Sequence, residues 1–193
     1  MHASFEQIRQ VITSRRSCKP SSMNGKIIPE DQIMALLELG DWAPNHGRTE
    51  PWRFYVYGGA ALEKFCADHA ELYQQHALPE TFNPAKYQSL KNQHTTVSHI
   101  ILVAMKRTQP TGIPMLEEYA ATAAAIQNIL LGAEALGINA LWSTGGMTHL
   151  PALKTYAGLS ESDEILALLH LGYSDTEPAQ GIRKIPLTAK IIR

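Results

Sequence analysis

The chain has 193 residues, of which 45% are hydrophobic and 18% charged, the size and balance expected of one globular domain spanning 1–193. Seventeen Lys and Arg against eighteen Asp and Glu leave a formal charge of -1. That excludes the basic footprint of a nucleic-acid or anionic-membrane binder and directs attention to small-molecule partners. Two distant cysteines, Cys18 and Cys66, are too few for a disulfide framework. They suit a reducing compartment, and the opening MHASFEQIRQV has no export-type apolar stretch, so a cytoplasmic protein with free thiols is expected.

Ser4 and Gln7 have the spacing of a capping box, and Phe5, Ile8, Val11 and Ile12 then recur at helical period, so the first element is an amphipathic helix. It ends at Ser14-Arg15-Arg16-Ser17. Pro29, Glu30 and Asp31 start a second helix whose inner face is Ile33, Leu36, Leu37 and Gly40, and Pro44 stops it. A loop follows from Asn45 to Glu50. Phe54–Tyr57 is a strand closed by Gly58-Gly59, with a third helix from about Ala60. Between Gln75 and Asn92 the chain is polar, with Pro79 and Pro84, and reads as a loop or a loosely ordered helical flap.

Ile100–Met105 is a continuous apolar run, the pattern of a central strand covered on both faces, and Pro110 and Pro114 frame a turn after it. The alanine-rich stretch Glu117–Leu136 predicts the central helix of the core. Gln127, Asn128 and Glu134 within it argue against a membrane span. Gly137 closes this helix, Asn139–Trp142 is a short strand, and Gly145-Gly146 makes a loop able to bring backbone amides close to a ligand. Leu150–Tyr156 is a helix and Ile165–Leu171 the last strong strand. The irregular alternation of elements predicts an α+β sheet covered by helices rather than a βαβ series.

No phosphate-loop, dinucleotide, nucleophile-elbow or zincin motif occurs, and the eight histidines lack metal-ligand spacing. What remains is the pair Arg15 and Arg16 with the Ser17 hydroxyl where a helix stops. These groups can form several charge-assisted hydrogen bonds to one phosphate.

This element, the block Trp42-Ala43-Pro44-Asn45-His46-Gly47-Arg48-Thr49-Glu50-Pro51-Trp52, and Trp142-Ser143-Thr144-Gly145-Gly146 together resemble the nitroreductase family of FMN-dependent oxidoreductases. The short length is most similar to the minimal branch of that family. The resemblance implies a mixed, largely antiparallel central sheet flanked by helices, FMN as cofactor, NAD(P)H as electron donor and a homodimer. It implies that Arg15, Arg16 and Ser17 hold the phosphate and ribityl side, and that Trp42 and His46 reach the flavin bound mainly by the other subunit. Trp142, Ser143 and Thr144 then lie beside the isoalloxazine or phosphate, and Gly132 to Gly137 matches a region associated with the nicotinamide nucleotide. Glu50 stands where the family often has Gln, and Ile182–Leu187 resembles a basic tail element in which Arg183 is an unassigned contact.

The implied activity is ping-pong transfer of two electrons from NAD(P)H to a nitroaromatic, quinone or related small acceptor, with no side-chain nucleophile. A flavin-binding protein without turnover, or flavin destruction, dehalogenation or dehydrogenation on the same scaffold, are the alternatives. His46 either positions the cofactor or supplies a proton near it.

Overall fold

The computed structural model describes residues 4–107 and 112–193, so Pro110 and the turn it was expected to frame lie outside the described residues. Among the described residues six α-helices and four strands follow in chain order: α1 (Phe5–Ser14), α2 (Glu30–Asp41), β1 (Trp52–Gly58), α3 (Gly59–His76), α4 (Pro84–Lys91), β2 (His99–Met105), α5 (Met115–Ala135), β3 (Asn139–Ser143), α6 (Pro151–Tyr156) and β4 (Glu164–Gly172). The sheet order is β1-β2-β4-β3, every neighbouring pair is antiparallel, and helices cover both faces. The parallel component is a single bridge between Ser17 and Ala140 on the outer edge of β3. The α+β class expected from the sequence is the one observed.

Alternation along β2 and β4 divides the interior in two. Ile101, Val103 and Met105, with Ala167, Leu169 and Leu171, meet Ile126 and Ile129 of α5 and Ile33 and Leu36 of α2. On the opposite face Ile100, Leu102 and Leu168 meet Leu62, Phe65 and Ala70 of α3, Leu90 of α4 and Leu153 of α6. All seven residues of β2 are buried, as its unbroken apolar run predicts.

The segment read as a loop or loosely ordered helical flap is loop over residues 77–83 and regular helix on either side. α3 continues to His76, and after a short turn Asn83 caps α4 by accepting from the amides of Ala85 (2.9 Å) and Lys86 (3.3 Å). Aromatic packing of Tyr73 on Phe82, with ring centroids 5.6 Å apart, and burial of Leu90 tie this polar stretch to α3. These are tertiary contacts without a local hydrophobic period.

The capping box forms as read: the Gln7 amide donates to Ser4 Oγ (3.2 Å) and the Ser4 amide to Gln7 Oε1 (3.1 Å). The apolar stripe of α1 is not covered by this chain. No residue of the helix is buried, and Phe5 is 79% exposed. Among the described residues no helix is long and apolar enough to cross a membrane.

Close approach of α2 and α5 depends on small residues. A Cβ on Gly40 would stand 3.0 Å from the Ile129 side chain and 3.1 Å from the Phe54 ring, and one on Gly132 would meet Leu36 and Leu39. Packing against α2 thus accounts for Gly132, which the resemblance had linked to a nucleotide. Replacing Gly40 with Val should cost about 1–3 kcal/mol by overpacking, seen as a lower urea midpoint at unchanged slope.

Candidate functional site: a cationic cleft at the edge of β3

Helix α1 stops because Arg15 leaves helical conformation (φ -50, ψ 124), and the chain then runs extended beside β3. The Cys18 amide donates to Ala140 O at 3.0 Å, next to the Ser17–Ala140 bridge. This seats the arginine pair against the start of β3 and the end of α5. The cleft so formed has a volume of about 610 Å³ and is lined by Arg15, Arg16, Ser17, Lys19, Glu134 and Arg183, among others. Glu177 is a second acidic group in the lining, so four basic residues face two acidic ones.

The two arginines have different surroundings. Arg15 is half-buried and makes no side-chain hydrogen bond among the described residues, which leaves its guanidinium donors available to an anion. Arg16 Nη1 donates to Arg15 O (2.7 Å) and Nε to Ala179 O (3.1 Å), while Gly181 lies so close to the guanidinium that a Cβ there would collide with it. Arg16 is thus partly engaged in holding the C-terminal segment over the cleft. Lys19 escaped the sequence reading. The usable signal was its spacing, because in an extended segment residues two apart, here Ser17 and Lys19, project to the same side.

Trp142, Ser143 and Thr144 are not in the lining of this cleft. Ser143 lies three residues beyond Ala140 along β3, roughly 10 Å away at strand rise. The Trp142 indole N–H donates to Leu166 O (3.0 Å), which pins the ring to the sheet and removes that donor from ligand binding. Ser143 Oγ accepts from the Gly145 amide (3.3 Å), tightening the turn, and Thr144 is exposed.

Behind this turn sits a buried histidine. His69 Nε2 faces the Met147 amide at 3.4 Å, and its ring packs on Gly146, where φ is +68 and an added Cβ would come within 3.1 Å of Nε2. Accepting that hydrogen bond requires a neutral ring. Burial, and then the neighbouring His170 and Lys86, push His69 down to about 4 from the ordinary 6.5. Burial likewise pushes His170 down to about 4, opposed by the carbonyls of Leu168 and Leu141. Burial pushes the Cys66 thiol up to about 11, which removes it as a nucleophile at neutral pH.

Trp42 and His46 are far from the cleft within one chain. They occupy the α2–β1 connection, on the sheet edge opposite β3, three interstrand spacings or about 14 Å across. Trp42 is 79% exposed, and His46 pairs with Glu117 through Nδ1 and Oε2 at 2.5 Å. The structure therefore brings Arg15, Arg16 and Ser17 together, places Trp142–Thr144 farther along the same edge, and leaves Trp42 and His46 on the other edge.

Fold and cleft define an α+β protein with a cleft rich in basic side chains at the open edge of an antiparallel sheet. The chain belongs to the nitroreductase family, whose family model matches residues 12–173. It is similar to the crystal structure of a nitroreductase-like family protein from Bacillus cereus, at 29% identity and TM-score 0.84, over 100% of this chain and 98% of that one. YfhC of Bacillus subtilis (strain 168), provisionally named an NAD(P)H nitroreductase, is 28% identical over 171 residues, 89% of this chain and 86% of that protein. The fold is shared with the FMN-dependent nitroreductase NfnB from Mycobacterium smegmatis, solved in complex with NADPH, at 16% identity and TM-score 0.76 over 98% and 99% of the two chains. A nitroreductase with bound FMN from Bacteroides fragilis is 21% identical with TM-score 0.69, over 97% and 98%.

The buried histidines set an acid limit on this region. Their folded values near 4 lie below the ordinary 6.5, so the unfolded chain takes up protons that the native state refuses as pH falls through that window. Stability should be fully present above about pH 6.5 and decline toward about pH 4, by on the order of 3 kcal/mol for one such histidine. Urea unfolding at several pH values checks this, and replacing His69 and His170 together with Gln should flatten the profile.

Proposed function

We propose that this chain is a single-domain FMN-dependent oxidoreductase passing two electrons from NAD(P)H to a nitroaromatic, quinone or related small acceptor by a ping-pong route. The observation that carries this reading is the Arg15 guanidinium, without a side-chain hydrogen bond among the described residues, in a cationic cleft at the start of β3. The names of the relatives, and the FMN and NADPH in the titles of structures sharing the fold, support it.

The residues present fit an elongated ligand that is anionic at one end. Arg15, Ser17 and Lys19 supply charged donors and a hydroxyl for a phosphate, and Arg183 adds a fourth group from the tail. Arg16 both contributes charge and fastens the tail through Ala179 O. Outside the cleft lining and farther along the same strand, Thr144 has an exposed hydroxyl and the Gly145-Gly146 turn carries backbone amides, groups that would meet the far end of such a ligand laid along the β3 edge. FMN, when bound, supplies the two-electron relay that no side chain here provides.

The reading includes a homodimer. The uncovered stripe Phe5, Ile8 and Ile12, the exposed Trp42 and the exposed Ile182 and Leu187 of the tail are apolar surface that a second copy would bury. Trp42 and His46, out of reach of their own cleft, then complete the partner's. Two free thiols suit the cytoplasmic setting expected from the sequence.

Purified protein should be yellow, with FMN released by heat or acid. Arg15→Ala removes charge-assisted hydrogen bonds worth roughly 1.5–3 kcal/mol each, so FMN affinity should fall at least about tenfold, measured by fluorescence titration. Full occupancy in that variant sinks the clamp. Sedimentation at micromolar concentration should give a dimer with two flavins, and a fully loaded monomer would contradict the shared site. Anaerobic NADPH should bleach the flavin and a nitroarene restore its colour, whereas a flavin that stays yellow favours binding without turnover.

A further inference from the structure

Helix α5 opens with two adjacent glutamates that have separate partners. Glu118 is 1% exposed, and its Oε2 accepts from Arg107 Nη1 at 3.0 Å while Arg107 Nη2 donates to Ile113 O at 2.9 Å. That pair fastens the start of the helix. Glu117, half exposed, instead meets His46, a residue 71 positions earlier.

The loop presenting His46 is held in an unusual shape. Gly47, Arg48 and Glu50 all have positive φ, at 63, 54 and 43, and the last two are not glycines. Gly47 lies against Ile113, where a Cβ would come within 2.6 Å of Cδ1, and the Glu50 amide donates to Asn45 Oδ1 at 3.2 Å. Left-handed backbone at two non-glycine residues is maintained only where surrounding contacts impose it. The chemistry of the His46 contact is equally restricted. A carboxylate oxygen only accepts, so the 2.5 Å approach requires the proton on Nδ1. In the neutral ring Nε2 then carries the lone pair.

We propose that Glu117 is a positioning residue that fixes neutral His46 in the Nδ1–H tautomer, leaving Nε2 as a hydrogen-bond acceptor for cofactor or substrate. The charged groups on the two elements that meet here are Arg48 and Glu50 on the loop and, next to Glu117 in sequence, Glu118 with its partner Arg107. The consequence for the active site rests on the reading that His46 completes the partner's flavin site. There the neutral ring accepts from an N–H or O–H group and does not donate to a carbonyl. His46 supplies a proton from Nε2 only after taking up a second one, so a step that depends on that proton weakens as pH rises and the imidazolium is lost.

Nitrogen-15 NMR of the histidine rings in the full-length FMN-loaded protein tests this, with His46→Gln assigning the signal. In spectra of the neutral ring, wild type should show a protonated Nδ1 and an unprotonated Nε2 at His46. Glu117→Ala should shift the ring toward the Nε2–H form, and Glu117→Gln, which keeps an accepting carbonyl oxygen, should retain more of the Nδ1–H form than the alanine variant. A wild-type ring already in the Nε2–H form overturns the proposal without any variant. So does an unchanged Nδ1–H signal in a folded Glu117→Ala protein. Flavin occupancy read on the same samples separates the two ideas: a wild type that takes up no FMN sinks the flavin reading and leaves the tautomer result standing.

Discussion

One backbone hydrogen bond organises the site, from the Cys18 amide to Ala140 O. The outer edge of β3 would otherwise expose unpaired backbone groups, and the segment leaving α1 satisfies part of that edge over a single bridge. Because pairing stops after that bridge, the side chains on either side of it are not consumed by sheet structure. Arg15, Ser17 and Lys19 therefore line an open cleft instead of a continued ladder. The end of α5 and the C-terminal segment complete the wall, so the cleft is assembled from three stretches distant in sequence.

That edge is firm because the sheet behind it is buried on both faces. β2 and β4 separate two cores, and each core locks its own helical layer in place. On the layer formed by α2 and α5, glycines at the crossing let the helices approach closely, so that α5 delivers Gly137 and Asn139 to the cleft at one end and Glu117 to His46 at the other. On the other layer α3 carries His69 to the back of the Gly145–Met147 turn, where a desolvated neutral imidazole suits an acceptor role. A rigid core thus determines the geometry of groups at both edges.

The residues singled out from the sequence are split between those edges. Cleft residues gather at β3, while the exposed Trp42 and the strained loop around His46 extend from β1. A surface indole and an uncovered amphipathic helix are costly to leave in water, and the capping box shows that α1 is a well-specified helix rather than a frayed end. These features make sense together if the missing cover is another copy of the chain. Under that arrangement association and completion of the site are one event.

Local sequence determined most of the elements. Capping at Ser4, the proline start of α2, the apolar run of β2 and the glycine stops after β1 and α5 are short-range signals, and each marks an element that forms. The arginine pair stood out as an anion-site candidate for the same reason, since guanidinium chemistry at a helix end needs no knowledge of the fold, and both residues line the cleft. Long-range contact decided the rest. The polar 75–92 stretch contains a helix, Pro84–Lys91, where aromatic packing and Leu90 anchor it, and Gly132 serves a helix crossing that no periodicity reveals. Arg15 and Arg16, alike in sequence, differ because a tail more than 160 positions away takes up one of them. Glu117 and Glu118 differ because burial couples one to Arg107 and exposure leaves the other to His46. Neighbours along the chain share a sequence environment, but their chemistry is set by the groups that tertiary folding brings against each side chain and by the water it removes.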